Sequence, residues 1–166
     1  MLVTSLLGQL TDSGRVVVLS SDVHKVVRKL GIDFQNLSGE RGYSPVGAYG
    51  QSKLANVLFV KELAKRLSGT GKTANAVHPG VIKTNLSRSI PRVMQLAMGL
   101  VEPLVLKSAA QGAATQCYVA THPQLAGVSG EYFVDCNIAK PSSLARDAAL
   151  AARLWDESEK ILAKLS

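Results

Sequence analysis

The sequence predicts an α/β domain in which helices flank a parallel sheet. Strand-like and helix-like segments alternate along the chain, which is the order expected when helices connect parallel strands. The first strand-like run, from Arg15 to Ser21, is apolar on both faces, as in a buried strand of a parallel sheet. The chain has 166 residues, of which 46% are apolar and 19% charged, so it can form one domain with its own core.

The first part of the chain predicts a helix end, a strand and a long loop. Apolar residues at helical spacing indicate a helix over 1–10, and the polar cluster that ends at Gly14 stops it. A strand is expected over 15–20. Residues 22–44 are polar and punctuated by glycine, with a short helix over 23–30, and are typical of a functional loop rather than a linker.

The middle of the chain predicts a long helix and a second strand. Ser44 and Pro45 are suited to the N-cap and first turn of a helix, which extends to about Leu67. A strand over 73–78 then ends at a Pro-Gly pair, which forces an irregular turn.

The last part of the chain completes the alternation. Residues 84–107 are expected to form a mobile, partly helical excursion, and a Ser-x-x-Gln capping box begins a helix over 108–120. A third strand is expected over 131–134, followed by an amphipathic helix over 146–165 with Trp155 on its apolar face. The three strands are expected to be parallel, with the two internal helices on opposite faces of the sheet or around the same edge.

Composition excludes several classes of partner. The formal charge is +7, and the whole excess lies before residue 141, because residues 141–166 carry equal numbers of basic and acidic side chains. The basic residues form no runs and few aromatic residues accompany them, so no nucleic-acid partner is expected. No stretch reaches the roughly 18 apolar residues of a membrane helix, and no secretion signal opens the chain. We therefore expect a cytoplasmic protein without a membrane span.

Neither a metal site nor a disulfide framework is expected. Cys117 and Cys136 lack Cys-x-x-Cys spacing and are predicted to be small core residues. His24, His78 and His122 are too scattered along the chain to predict a metal-ligand cluster.

Tyr49 and Lys53 are the candidate catalytic pair. They stand four residues apart near the start of the long helix, so both side chains project from one face, about one turn apart. Chance alone gives such a pair about 0.3 times in a chain of this composition, so the spacing also fits an ordinary solvated pair. The context favours function, because a strand that ends in two serines precedes the pair and a strand that ends in a Pro-Gly turn follows it.

These three features in this order resemble the short-chain dehydrogenase/reductase family. The long loop before Tyr49, the stretch Ala48–Asn56 and the Gly-Glu-Tyr-Phe motif at 130–133 are similar to its retinol-dehydrogenase-like branch, which includes WW-domain oxidoreductase relatives. The resemblance covers nearly all of the chain. It implies a Rossmann-like parallel sheet flanked by helices.

Carried over residue by residue, the resemblance implies an NAD(P)-dependent oxidoreductase that interconverts an alcohol and a carbonyl. Tyr49 would be the catalytic acid/base, Lys53 its electrostatic partner and a ligand of the nicotinamide ribose, and Ser21 the hydroxyl that orients the substrate oxygen. Four residues after the second strand would line the nicotinamide, largely through backbone groups: Pro79, Gly80, Val81 and Thr84.

The chemistry agrees with these residue types. When hydride reaches a carbonyl carbon, the oxygen becomes an alkoxide, which a phenol within hydrogen-bond reach can protonate as a general acid. The reverse reaction needs the phenolate, and a neighbouring ammonium such as that of Lys53 stabilises an anion. Without the resemblance, Ser21 also fits a plain strand-end serine.

The dinucleotide-binding half of the family is expected before this chain. That half contains a strand, a Gly-rich turn at a helix N-terminus and the residue that selects NAD or NADP. No Gly-x-x-x-Gly-x-Gly pattern follows any predicted strand, and the catalytic Asn of the family would also fall upstream. Residues 1–166 therefore resemble the C-terminal part of a single Rossmann-like domain, truncated at its N-terminus. We expect the isolated chain to be inactive or nearly so.

The resemblance implies NADP or NAD as cofactor, with NADP slightly favoured by the branch and by the basic charge. The expected partner is a small-molecule alcohol or carbonyl, and a homo-oligomer also fits. The alternative is a catalytically inactive remnant that acts as a binding or dimerising module. A sheet cut in the middle would leave residues 16–19 beside an unfilled strand position, which favours association.

Overall fold

A computed structural model describes residues 2–27, 31–82 and 107–165 of the chain. The described residues form four strands: β1 (Arg15–Leu19), β2 (Thr73–His78), β3 (Tyr132–Val134) and β4 (Asn137–Ile138). They make one sheet in the order β1-β2-β3-β4. β1 and β2 pair in parallel, as do β2 and β3, so the three predicted parallel strands are confirmed. β4 is antiparallel to β3.

Helices surround this sheet. The described residues form four α-helices: α1 (Leu2–Leu6), α2 (Pro45–Arg66), α3 (Ala109–Thr121) and α4 (Ala148–Ala163). Short 3₁₀ turns lie at Leu7–Gln9, Asp22–Val26, Pro123–Leu125 and Leu144–Arg146. None of the described helices is both long and apolar enough to cross a bilayer.

Side-chain caps explain where the longer helices begin. The Ser44 hydroxyl accepts a hydrogen bond from the Gly47 amide at 3.4 Å, and the predicted capping box of Ser108 and Gln111 is present in both directions. These caps confirm the predicted starts of α2 and α3. α4 begins later than the predicted residue 146, because the Asp147 carboxylate accepts the first amides of that helix.

Strand residues alternate between two cores. Ala76 and Tyr132 pack into the larger core with α2 and α4, whereas their neighbours Val77 and Phe133 pack with Val119 of α3. Successive strand residues point to opposite faces of a sheet. α2 and α3 therefore cover opposite faces, which is one of the two predicted arrangements.

β1 is less buried than its sequence predicts. Its first four residues are only half-buried and Leu19 is 48% exposed, so the prediction of a strand buried on both sides is wrong. The reason is that β1 has a paired neighbour on one side only among the described residues. Its other edge has no strand partner in the described part of the chain.

The β3–β4 hairpin is a further difference from the prediction. Its two-residue turn, Asp135 and Cys136, has φ of 51° and 61°. Turns of this kind usually contain Asn-Gly or Asp-Gly, so the Asp-Cys pair gives no hairpin signal. Cys136 is half-buried in this turn and Cys117 is exposed, so the predicted core role is wrong for Cys117.

Two segments predicted from the sequence lie only partly within the residues that the structure describes. The expected short helix over 23–30 is a 3₁₀ turn at Asp22–Val26, and residues 28–30 lie outside the described residues. Of the expected excursion over 84–107, residues 84–106 lie outside the described residues.

Candidate active site

Two hydrogen bonds fasten the carboxyl end of β1 to α2. The Ser20 hydroxyl donates to the Lys53 carbonyl at 2.8 Å, and the side-chain amide of Asn56 donates to the Leu19 carbonyl, also at 2.8 Å. Ser20 is only 3% exposed, so its hydroxyl is committed to this bond. The end of the strand therefore lies against the helical segment that carries Tyr49 and Lys53.

Ser21, the predicted substrate-orienting residue, follows directly in a half-buried position. Its backbone is extended, with φ −158° and ψ 151°, and its hydroxyl oxygen accepts a hydrogen bond from the Val23 amide at 3.3 Å. The bond caps the 3₁₀ turn at Asp22–Val26. An accepting hydroxyl keeps its own hydrogen for donation. Ser21 thus has a local structural role together with a hydrogen to offer a substrate oxygen.

Tyr49 and Lys53 lie on the same face of α2, as their spacing predicts. The Lys53 ammonium nitrogen is 5.4 Å from the centroid of the Tyr49 ring, within cation–π range. The Tyr49 side chain is 49% exposed and Lys53 is half-buried. A phenol and an ammonium are therefore presented together where a small molecule can reach them.

Gly50 brings this helical turn against the segment that follows Ser21. A Cβ at Gly50 would lie 3.0 Å from a methyl carbon of Val27 and 3.2 Å from the Val23 carbonyl oxygen. Only a residue without a side chain allows this approach without displacing its neighbours. Sequence reasoning missed Gly50, because a mid-helix glycine carries no signal of what it faces.

The predicted nicotinamide-lining residues follow β2. β1 and β2 are parallel neighbours, and Leu19 pairs with Val77, so their carboxyl ends meet at the same edge of the sheet. The Pro79–Val81 turn therefore begins beside the strand end that leads to Ser21. Thr84, the fourth predicted lining residue, lies outside the described residues.

Lys107 crosses the Pro79–Val81 turn. Its backbone amide donates to the Val81 carbonyl at 2.8 Å, and its ammonium pairs with the Asp135 carboxylate. Gly80 has φ of +89°, and a Cβ there would lie 2.7 Å from the Lys107 side chain. Lys107 links the turn after β2 to the turn after β3. Its role has no local sequence signal.

The Pro79–Val81 turn is covered by the long, flexible Lys107 side chain, whose atoms lie 2.7–3.0 Å from the place of an added Cβ on Gly80. A flat nicotinamide ring would lie against Gly80 once this side chain moves aside. Beside the turn, His78 Nδ1 is buried and has no hydrogen-bond partner among the described residues. Burial lowers the pKa of His78. A glycine turn covered only by a flexible side chain, with an unpartnered ring nitrogen on the residue before it, is suited to a planar polar ligand.

The half-exposed Asp22 and the buried Tyr132 form a link that sequence reasoning missed. The Tyr132 hydroxyl donates to an Asp22 carboxylate oxygen at 3.0 Å, and the Lys25 ammonium lies 2.8 Å from the same oxygen. Burial and this carboxylate raise the pKa of Tyr132. Although burial opposes it, hydrogen bonds from Lys25 and Tyr132 hold the pKa of Asp22 below its usual range. The partners are 110 residues apart, so no local pattern could join them.

The three histidines lie in different places. His24 is in the 3₁₀ turn after Ser21, His78 ends β2 and His122 follows α3. Within the described ranges, no group of three or more His, Cys, Asp or Glu side chains is placed to hold a metal ion.

Comparison with known proteins gives matches along most of the chain. The profile of a family described as Enoyl-(Acyl carrier protein) reductase matches residues 6–137. Short-chain dehydrogenase TIC 32 B, chloroplastic, from Brassica napus is 45% identical over 157 residues, covering 92% of this chain and 48% of that protein. Retinol dehydrogenase 14 from Homo sapiens is 41% identical over 169 aligned positions, covering 99% of this chain and 49% of that protein.

Solved structures agree with these matches. An uncharacterised protein from Mycobacterium paratuberculosis superposes with a TM-score of 0.64 at 32% identity, over 89% of this chain and 50% of that one. The chain spans about half the length of the curated relatives that it matches.

Proposed function

Because this chain belongs to the short-chain dehydrogenase/reductase family, we propose that it carries the reacting groups of an NAD(P)-dependent oxidoreductase that interconverts an alcohol and a carbonyl. The proposal depends on how the end of β1 meets α2. The hydrogen bond from the Ser20 hydroxyl to the Lys53 carbonyl and the close approach at Gly50 hold the segment after β1 against the turn of α2 that presents Tyr49 and Lys53.

Each of the three side chains has a chemical role in this proposal. Tyr49 gives a proton to the substrate oxygen during reduction and takes it back during oxidation. The Lys53 ammonium stabilises the phenolate that remains. The Ser21 hydroxyl, whose oxygen already accepts the Val23 amide, donates its hydrogen to the same substrate oxygen and so orients it.

Lys53 and the Pro79–Val81 turn would hold the nicotinamide end of the cofactor, with Thr84 as a further proposed ligand. When bound, the cofactor supplies or accepts the hydride. We favour NADP over NAD because the chain carries a charge of +7 and NADP carries one phosphate more than NAD.

The proposed substrate is a small alcohol or carbonyl of the retinol-dehydrogenase type, because several relatives are named retinol dehydrogenase. A cytoplasmic location stays a prediction, since one relative is named as chloroplastic. The alternative of an inactive binding or dimerising module rests on the open edge of β1 alone.

The experiment is a fusion in which the Gly-rich half of a family member precedes this chain. Its carbonyl reduction is followed with NADPH and with NADH. Tyr49→Phe is expected to lower kcat at least about 100-fold, the usual contribution of a positioned general acid. Cofactor affinity should change little, because the aromatic ring remains and only the hydroxyl is removed.

Tyr118→Phe is the matched control. Tyr118 lies in α3, whose Val119 carbonyl accepts a hydrogen bond from Arg15 at the amino end of β1, the far end from Ser21. Its loss of a hydroxyl should leave kcat unchanged. Turnover that survives Tyr49→Phe would overturn the proposed role of the phenol.

A further inference from the structure

His24 is fully buried in the 3₁₀ turn that follows Ser21. Both of its ring nitrogens have a backbone partner. Nδ1 lies 2.7 Å from the Ser21 carbonyl oxygen, and Nε2 lies 3.1 Å from the Ser142 amide nitrogen. The ring therefore bridges the end of β1 and the segment after β4, which lies beyond the family match at residues 6–137.

These partners define one protonation state. A backbone amide can only donate, so Nε2 must accept and carry no hydrogen. A backbone carbonyl can only accept, so Nδ1 must carry the hydrogen. The neutral Nδ1–H form satisfies both bonds. The imidazolium would place a second N–H against the Ser142 N–H and lose that bond.

The surroundings favour the neutral ring. Its edge packs against Tyr132, with ring centroids 5.1 Å apart and planes at 75°. The titratable groups that face it are Asp22, Lys25 and His78, besides Tyr132. Burial is the largest influence and lowers the pKa of His24. The hydrogen bond to the Ser21 carbonyl and the charge of Asp22 act in the opposite direction, whereas Lys25 and His78 lower the pKa further.

The bond from Nδ1 acts directly on Ser21. The Ser21 carbonyl oxygen also accepts the His24 backbone amide at 3.0 Å, so one residue holds that peptide group twice. The Ser21 hydroxyl oxygen accepts the Val23 amide of the same 3₁₀ turn, so the position of the hydroxyl depends on the geometry of that turn. Loss of the ring bond would leave the Ser21 carbonyl with the His24 amide alone and loosen the turn that the hydroxyl caps.

We propose that His24, as the neutral Nδ1–H imidazole, is a positioning residue that locks the Ser21 backbone by clamping it to the Ser142 segment. The structural clamp stands on the contacts above, and its importance for catalysis rests on the proposed function of Ser21. The clamp also makes residues beyond β4 part of the support of the site.

The first test needs no variant. Long-range ¹H–¹⁵N NMR of the 166-residue chain at neutral pH distinguishes protonated from unprotonated imidazole nitrogens. We expect Nδ1 of His24 to be protonated and Nε2 unprotonated. A hydrogen on Nε2, whether in the other tautomer or in the imidazolium, would overturn the proposal.

Two variants then separate the two bonds. The side-chain nitrogen of Asn can occupy the place of Nδ1, so His24→Asn keeps the donor to Ser21 and loses the acceptor for Ser142. The side-chain oxygen of Gln can occupy the place of Nε2, so His24→Gln does the reverse. We expect amide exchange at Ser142 to quicken roughly tenfold in His24→Asn only. The Ser21 carbonyl and Cβ resonances should shift and broaden in His24→Gln only.

Equal responses of both serines to both variants would show general loosening of the fold and contradict a directed clamp. Failure of the proposed function would be seen separately, as turnover that survives Tyr49→Phe with the NMR results unchanged. If neither variant folds, the tautomer measurement on the unmodified chain still tests the proposal.

Discussion

Ser20 and Ser21 are neighbours in sequence but have different surroundings. The Ser20 hydroxyl is buried and bonded to the Lys53 carbonyl, whereas Ser21 is half-buried and keeps its hydroxyl hydrogen available. Successive residues of an extended chain point in opposite directions, so the two hydroxyls face different sides. Ser20 holds the strand end on α2, and Ser21 is left as the group that can contact a substrate.

Gly80 permits a direct prediction at this scale. Gly80→Ala would force a Cβ into a backbone with φ of +89° and against Lys107. Gly127→Ala provides the control, because its φ is +79° and nothing lies within 4 Å of the added carbon. The control should lose about 1 kcal/mol of unfolding free energy from backbone strain alone. Gly80→Ala should lose more, because Lys107 must also leave Asp135. Urea unfolding measures both, and equal losses would contradict the close approach of Lys107.

The sequence predicted site residues only where a local motif announced them. Tyr49 and Lys53 share one helical turn, so their spacing alone places them on the same face. His24 and Tyr132 have no such signal, because their roles depend on contacts made across the fold. Lys107 likewise acts on a turn that comes much earlier in the chain.

At the scale of elements, the close approach of α2 to the turn at Asp22–Val26 sets the distance between the helix and the segment after β1. Gly50 sits where the two meet, and the added Cβ of an alanine would be 3.2 Å from the backbone oxygen of Val23. A backbone atom cannot turn aside as a flexible side chain can. The spacing between helix and turn is therefore fixed by the absence of one carbon.

Gly50→Ala should destabilise the protein, although alanine is the better helix former by about 1 kcal/mol. The control is Gly47→Ala in the first turn of the same helix, where the added carbon meets only ordinary contacts at 3.4 Å. Gly47→Ala should raise the free energy of unfolding, and Gly50→Ala should lower it. Thermal or urea unfolding of the pair decides the sign. A stabilising Gly50→Ala would mean that the helix does not lie this close.

Local signals accounted for most elements. The Ser44-Pro45 start and the Ser108 capping box each act within one helical turn, and both were correct. The β3–β4 hairpin was missed because Asp135 and Cys136 adopt left-handed backbone angles without a glycine. The contacts of the folded chain select that turn, so the sequence alone does not announce it.

At the scale of the whole molecule, helices cover both faces of the sheet, whose two edge strands among the described residues are β1 and β4. The apolar run of β1 predicted a buried strand, whereas a sheet cut in the middle predicted an unfilled position beside residues 16–19, and among the described residues β1 pairs on one side only. Sequence patterns report the apolar character of a strand. They do not report whether a neighbour is present.

The lowered pKa values of His24 and His78 predict how the free energy of unfolding depends on pH. Burial lowers the pKa of both His24 and His78 in the folded chain, whereas an unfolded histidine titrates near 6.5. Below about pH 6.5 the unfolded chain therefore binds protons before the folded chain does. The stability present above that pH should fall as the pH decreases toward the folded pKa values. Urea unfolding at about pH 7.5, 6.5 and 5.5 measures this, and a constant or rising free energy would contradict the neutral buried rings.

Under the proposed function, Tyr49, Lys53 and the Pro79–Val81 turn surround one nicotinamide site. The most direct measurement is a titration of the ¹⁵N-labelled 166-residue chain with nicotinamide mononucleotide, which is the reacting half of the cofactor. We expect saturable chemical-shift changes of the Gly80 and Val81 amides and of the Lys53 side chain, with weaker binding in Lys53→Met. Shifts that cluster instead at the aromatic cleft of Phe59 and Trp155, or that are unchanged by Lys53→Met, would contradict it.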